Sequence, residues 1–339
     1  MKVFIPSPYS DQEDAYYHIE EAGPSLVKGR SYEQFRDQPY TEEELVALCQ
    51  DVDAILASHR DCLTRRVLEA AKRLQLVVYS ITGVDQVDLI AATELGILVC
   101  NSPSPENVIG MAEATIALML ALAKRLKQNE NLLRHGRWGH GEDRGDLLFG
   151  KTVGIIGLGR IGRAVAHRLV PWGAQFLAYD PYVNHEQVKK MGVAFVDLET
   201  LLREADFVSV HVVVKPETRN LLGEREFRMM KPTAYLINTS RGEAIHEPAL
   251  VRAIEEGWLA GAALDVFRQE PLPIDSPLRR LDPEQVILTP HKIGHVEAAS
   301  IANHRLAVES LLKGLRGEIP DYTVNREVIP RWQARMARL

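Results

Sequence analysis

The chain has 339 residues, 46% hydrophobic and 25% charged, with a formal net charge of −6 and a pI of 6.0. That is globular composition with material for two cores, and the acidic balance argues against a nucleic-acid partner, which would want a basic surface. Cys49, Cys62 and Cys100 form no CxxC pair and no even framework, so a reducing compartment, the cytoplasm, is expected and a metal site is not.

At the N-terminus no basic stretch precedes a long apolar run, so no signal peptide is expected. Lys2–Pro6, Ala54–Ser58, Leu76–Ser80 and Ile97–Cys100 read as strands. Helical patterns at Glu42–Cys49, Thr64–Ala71 and Asp88–Leu95 separate them. Strand alternating with helix predicts a parallel, doubly wound sheet. Asn101–Pro105 is a Pro/Ser-rich break and a predicted domain crossing. One long helix is predicted from Glu106 to Arg134. Its apolar run, Ile116–Ala123, is too short to span a bilayer. A polar, Gly-rich surface loop follows at His135–Gly145.

From Lys151 a second alternating series begins. Its predicted strands are Val153–Ile156, Gln175–Tyr179, Phe207–His211, Tyr235–Asn238, Gly261–Val266 and Val286–Leu288, enough for a full dinucleotide fold. The predicted helix Glu297–Leu315 then returns to the first domain, followed by a short tail. The expected architecture is α/β, a Rossmann domain (102–291) inserted in a flavodoxin-like domain (1–101 and 292–339). The crossings form the predicted hinge, and the cleft between domains the predicted active site.

Gly157, Gly159 and Gly162 form GxGxxG between the strand at Val153–Ile156 and a helix. The first glycine permits a tight turn, the second admits a pyrophosphate, and the third allows close helix–strand packing. Ile161 lies in the same loop, and Arg160 is placed to meet a phosphate. Free N–H groups at the start of that helix point at an anion. Arg163 reads as a solvated helix residue. Asp180 ends the next strand, 23 positions after Gly157, close to the roughly 20 such units show. A carboxylate there accepts from ribose hydroxyls and repels a 2′-phosphate, which favours NAD. A turn aspartate before Pro181 is the competing reading.

Three later strands end in polar residues: Asn238-Thr239-Ser240-Arg241-Gly242, Leu264-Asp265-Val266-Phe267 with Glu270-Pro271, and Thr289-Pro290-His291. Ligands of open α/β sheets sit beyond the carboxyl ends of the strands. Hydride transfer to a carbonyl needs a proton donor for the oxygen, a role suited to His291. A carboxylate, Glu270, would fix the imidazole's tautomer. An arginine, Arg241, grips a substrate carboxylate and polarises the neighbouring carbonyl. Surface, turn and loop roles are the alternatives for these three residues taken singly.

These segments, together with Gly83-Val84-Asp85-Gln86-Val87-Asp88, Met111-Ala112-Glu113 and the GLGRIG loop, resemble the D-isomer-specific 2-hydroxyacid dehydrogenase family over nearly the whole chain. The resemblance implies Arg241, Glu270 and His291 as the catalytic set and Asp265 as a nicotinamide contact. It implies substrate carboxylate binding at Thr82 and Gly83, and a homodimer with residues 106–134 in its interface. Relatives similar to phosphoglycerate dehydrogenases carry arginines on the loop after the second predicted strand, where Arg60 stands beside His59 and Asp61. With Leu339 as the last residue, no appended regulatory domain is expected, and Glu270 argues against formate dehydrogenase. Three departures stand out. Ile81 replaces a glycine of the substrate loop, Lys292 follows the histidine where an apolar residue is usual, and Val212-Val213-Val214 lacks the usual proline. Trp138 lies in a segment that reaches a neighbouring subunit in some relatives; a surface-loop tryptophan is the alternative. The implied activity is NAD-dependent hydride transfer on a small D-2-hydroxy or 2-oxo acid, with neither nucleic acid nor membrane as partner. An NAD-sensing corepressor and a phosphite-type dehydrogenase are alternatives on the same scaffold.

Overall fold

The computed structural model describes residues 1–9, 13–31, 34, 38–139, 144–184 and 191–337. The chain folds into two compact units, Met1–Asn107 with Val296–Leu339, and Val108–His295. Both divisions fall slightly later than the expected crossings, and local hydrogen bonds account for the difference. Ser104 N–H donates to Asn303 Oδ1 at 3.2 Å and Thr82 Oγ1 to Asn107 Oδ1 at 3.1 Å, holding 104–107 in the first unit. The Lys292 and Ile293 N–H groups donate to the Asp265 carboxylate, which holds their segment in the second.

The first unit has five parallel strands: β1 (Lys2–Ile5), β2 (Ser25–Lys28), β3 (Ala54–Ala57), β4 (Leu76–Tyr79) and β5 (Leu98–Cys100). Their order is β2-β1-β3-β4-β5, the flavodoxin-like arrangement, with its topological switch between β1 and β3. Alternate residues enter opposite cores, as strand geometry requires. Val3, Ala54, Leu56, Leu76 and Val78 face one cluster, and Phe4, Ile55, Ala57, Val77 and Tyr79 the other. Strand β2 escapes the sequence pattern because it is an edge strand with exposed ends at Ser25 and Lys28. Three helices begin at polar caps. Thr41 makes a capping box with Glu44, Thr64 accepts from Val67 N–H, and Asp88 from Ala91 N–H.

The tail does more than end the chain. It forms a helix, Ile329–Met336, whose Trp332 is fully buried. Arg331 and Arg335 donate to the carbonyls of Thr93, Glu94 and Leu95, at the carboxyl end of helix Leu89–Glu94. Carbonyls at a helix terminus lack the i+4 N–H that serves them within the helix.

The second unit has seven parallel strands: β6 (Thr152–Ile156), β7 (Gln175–Tyr179), β8 (Val193–Phe195), β9 (Phe207–Val210), β10 (Tyr235–Asn238), β11 (Gly261–Leu264) and β12 (Val286–Leu288). The order β12-β11-β10-β9-β6-β7-β8 is the dinucleotide-fold order with one further strand. Only β8 lacks a counterpart among the predicted strands, being three residues long on the sheet edge. The register aligns Tyr179, Ile156, Val210, Asn238, Leu264 and Leu288 in one row at the carboxyl ends.

The predicted helix 106–134 is two helices, Pro105–Ala123 and Leu126–Arg134. Arg125 takes φ 49°, in the left-handed region, which ends the first helix. By length and hydropathy the 19-residue helix is apolar enough to cross a membrane, contrary to the expectation from its shorter apolar run. Half of its most apolar window is buried in protein, with Ile116, Met119 and Leu122 packed in one cluster with Val153, Ile155 and Phe207.

Candidate active site

Strand register brings distant residues to one edge of the second unit. The residues after the aligned row are Gly157, Asp180, His211, Thr239, Asp265 and Thr289. The GLGRIG loop leaves β6 at Gly157, which has φ 93°. A Cβ there would be strained and would press on the His211 carbonyl. Gly162 packs against the Gly157 carbonyl with no room for a side chain, whereas the space beside Gly159 is open. Gly159 is the N-cap of helix Arg160–Leu169, Arg160 is exposed, and Ile161 is half-buried. An open backbone at a ten-residue helix N-terminus fits a pyrophosphate.

Asp180 has two jobs. Its Oδ2 accepts from Leu158 N–H at 2.8 Å, inside the glycine loop. Its Oδ1 accepts from Tyr182 N–H at 2.9 Å and Val183 N–H at 3.2 Å, an Asx turn. The turn role weighed against the ribose role is therefore real, and the carboxylate is anchored beside the glycine loop. Arg163 departs from its solvated reading: its Nε donates to the Leu158 carbonyl at 2.9 Å and staples the same loop.

The loop after β10 is set by Asn238, which is fully buried. Its Oδ1 accepts from Ser240 N–H at 3.1 Å and Ser240 Oγ at 2.8 Å, and its Nδ2 donates to the Arg241 carbonyl at 2.9 Å. Thr239 Oγ1 lies 3.0 Å from Thr115 Oγ1, which ties this loop to helix Pro105–Ala123. Gly242 follows because its Cα faces the Phe267 carbonyl at a distance that no Cβ could occupy. That close approach joins the Arg241 loop to the loop carrying Glu270.

Glu270 Oε1 accepts from Phe267 N–H at 2.9 Å, and Oε2 is 2.6 Å from His291 Nδ1. Burial pushes the Glu270 carboxyl upward in pKa. The His291 hydrogen bond, the Phe267 N–H and the charges of His291 and Arg241 outweigh it, so the group lies below its ordinary value. It is a carboxylate at neutral pH. Nδ1 is committed to it, which leaves Nε2 as the nitrogen that can exchange a proton with a substrate. His291 itself has φ 52°, a strained conformation for a non-glycine residue of the kind stored at functional sites. The structure thus unites Glu270 with His291 by a direct bond, and Arg241 with Glu270 through its charge.

Asp265 is 1% exposed and does more than was expected of it. Its Oδ1 accepts from Thr289 Oγ1 at 2.6 Å and from Lys292 N–H at 3.0 Å, and the Ile293 N–H lies 3.3 Å from both oxygens. It therefore clamps the loop on both sides of His291. The side chain of Lys292 belongs to an exposed residue.

His211 was singled out only as a strand end. Its ring Nε2 is 2.9 Å from Ser209 Oγ, and burial pushes its pKa down to about 4. It is neutral at physiological pH beside the glycine loop. A histidine following an apolar strand at the same row was the signal that could have found it.

Thr82, Gly83 and Arg60 belong to the first unit and are half-buried there. Asn101 Nδ2 donates to the Thr82 carbonyl at 2.7 Å, and Ser102 N–H to the Ile81 carbonyl at 2.9 Å. Arg60 Nε lies 3.2 Å from His59 Nε2. Trp138 is 82% exposed, and part of its loop, residues 140–143, lies outside the described residues.

Residues 116–292 match the family model of the D-isomer specific 2-hydroxyacid dehydrogenase NAD binding domain. The chain is 39% identical over 331 residues to a D-3-phosphoglycerate dehydrogenase of Methanocaldococcus jannaschii, covering 97% of this chain and 60% of that protein. It is also 39% identical over 297 residues to a glyoxylate reductase of Korarchaeum cryptofilum, covering 86% and 89%. A solved D-lactate dehydrogenase of Aquifex aeolicus, complexed with NAD and lactic acid, superposes with a TM-score of 0.83 at 27% identity, covering 96% of this chain and 99% of that one. These matches establish that the chain belongs to the D-isomer specific 2-hydroxyacid dehydrogenase family and is an NAD-dependent oxidoreductase of 2-hydroxy acids.

Proposed function

We propose that the chain reduces a small, unphosphorylated 2-oxo acid, with glyoxylate and hydroxypyruvate as the first candidates, and oxidises the corresponding D-2-hydroxy acid in reverse. The observation that carries the residue roles is the 2.6 Å bond between His291 Nδ1 and Glu270 Oε2, with Arg241 close enough to act on the Glu270 charge. In this reading His291 Nε2 gives a proton to the carbonyl oxygen, Glu270 holds the imidazole, and Arg241 binds the substrate carboxylate. Bound nicotinamide supplies the hydride. Gly157, Gly159, Arg160, Ile161 and Gly162 hold the dinucleotide phosphates, Asp180 the ribose, and Asp265 the nicotinamide end. Substrate recognition falls to Thr82, Gly83 and Arg60. The size of the substrate is supported by the glyoxylate reductase match, which spans most of both chains.

The same reading makes the protein a cytoplasmic homodimer that takes neither nucleic acid nor membrane as partner. Leu126, Leu133, Phe149 and Trp172 are 60%, 63%, 72% and 48% exposed, and such apolar exposure on the second unit supports a subunit interface. Free Cys49, Cys62 and Cys100 and the net charge of −6 support the remaining assignments. The test is steady-state absorbance at 340 nm against a 2-oxo acid panel with NADH and NADPH, with light scattering for subunit number. Silence across the panel by a protein that binds NADH would refute the activity, and a monomer at micromolar concentration would refute the dimer.

A further inference from the structure

Three buried polar residues of the first unit meet beyond the carboxyl ends of β1 and β3. Ser7 follows β1, Ser58 follows β3, and Asp61 closes the turn after Ser58. They are 3%, 2% and 1% exposed. Ser7 Oγ lies 2.8 Å from Ser58 Oγ and donates to Asp61 Oδ2 at 3.0 Å and Oδ1 at 3.1 Å. Ser58 N–H donates to Asp61 Oδ2 at 2.6 Å. On the far side, Tyr79 Oη, at the end of β4, donates to the Asp61 carbonyl at 3.0 Å. A buried carboxylate is costly unless its lone pairs are occupied, and here they are occupied from two loops.

Those loops are special in the topology. In the order β2-β1-β3-β4-β5 the chain direction of winding reverses between β1 and β3, and the crevice beyond their carboxyl ends is where such sheets receive ligands. One loop carries Tyr9, whose ring packs edge-on against His304 at 5.3 Å. The other carries His59 and Arg60, with Arg60 N–H donating to Ser58 Oγ at 3.4 Å. The Asp61 carboxylate is thus the tie between the two walls of the crevice.

We infer that Asp61 is a positioning residue for substrate recognition: by binding Ser7 and Ser58 together it fixes the surface that Tyr9, His59 and Arg60 present at the switch point. The inference rests on the activity proposed above. Asp61 touches no reacting atom, so its removal acts on substrate affinity and not on hydride transfer. Asparagine keeps an acceptor for Ser58 N–H and a polar atom for Ser7, so it restores what alanine loses.

The experiment compares wild type, Asp61→Ala, Asp61→Asn and Ser7→Ala in two assays. The first measures kcat, KM for glyoxylate and KM for NADH. The second measures calorimetric binding of oxalate, a 2-oxo acid mimic, to the NADH-loaded protein, and needs no turnover. For Asp61→Ala we expect KM for glyoxylate and Kd for oxalate to rise about tenfold, the size of one lost buried hydrogen bond, with kcat and KM for NADH within about twofold. Asp61→Asn should recover most of the affinity, and Ser7→Ala should fall between. Unchanged oxalate affinity in folded Asp61→Ala overturns the inference, as does a parallel loss of kcat and NADH binding. Should Asp61→Ala fail to fold, unchanged affinity in Ser7→Ala overturns it. A wild type that binds oxalate but turns over no 2-oxo acid refutes the proposed activity alone; one that does neither refutes both.

Discussion

At the residue scale the proposed reaction rests on His291 and its cofactor preference on Asp180, and each makes a separable prediction. His291→Ala removes the proton donor and should lower kcat by about 10²–10⁴-fold, the usual worth of general acid catalysis. NADH affinity, read by fluorescence titration, should stay within about threefold, because no bond from the ring supports the glycine loop. A matching loss of NADH binding would take His291 out of the chemistry. Asp180→Ala has a more mixed outcome. It deletes the charge that disfavours a 2′-phosphate, so the NADH over NADPH ratio of kcat/KM should fall about tenfold or more. It also leaves the Leu158, Tyr182 and Val183 N–H groups without their acceptor, so affinity for both cofactors should drop. An unchanged ratio would reduce Asp180 to its turn role. Both identities were legible in the sequence, since position after a strand and residue type sufficed. The second job of Asp180 was not, because its N–H donors become its neighbours only when the turn folds.

Loops at strand ends carry the residues of the proposed site, and three of them are set by a buried polar residue. Asn238 shapes the Arg241 loop, Asp265 the His291 loop and Asp61 the Arg60 loop. Asp265→Ala should therefore lower kcat by more than loss of a cofactor contact alone, about 10²-fold, and cost about 1–3 kcal/mol for the buried donors it abandons. Thermal unfolding with NADH titration separates the two effects; loss of cofactor affinity with kcat intact at saturation would refute the clamp. Motif reading found Asn238 and Asp265 as members of a pattern but could not see what they hold. A side chain's hydrogen-bond partners depend on strand register, which here aligns Asn238 with Leu264 and Leu264 with Leu288. The edge strands β2 and β8 and the break at Arg125 were missed for a related reason. β2 is bounded by exposed Ser25 and Lys28, the three residues of β8 are too few to show a period, and a left-handed arginine has no signature in sequence.

For the whole molecule, pH dependence of stability is the informative measurement. Burial raises the Asp61 carboxyl to about 6 from an ordinary 3.8. A group raised on folding favours the native state most when protonated in both states. Its contribution is full below the unfolded value, near 3.8, and is lost as pH rises through about 6. The shift corresponds to about 3 kcal/mol. Urea unfolding of wild type minus Asp61→Asn should show this loss between pH 4 and 7, and parallel profiles would mean that the carboxyl titrates normally. His211 works in the opposite sense: lowered to about 4, it contributes stability at neutral pH that is lost as pH falls from about 6.5 to 4.

The sequence by itself determined the fold class, the inserted order of the two sheets, the dinucleotide loop and the identity of the three polar residues proposed for catalysis. Local patterns carry that information: periodicity, glycine spacing and polar residues at strand ends. Only the tertiary structure decided that His291 meets Glu270 at 2.6 Å across 21 residues, that Gly242 lets two loops touch, and that Ser7 and Asp61 close one node across 54. Those contacts follow from parallel strand register and from the need to satisfy buried polar groups, both of which come into being only when distant segments pack.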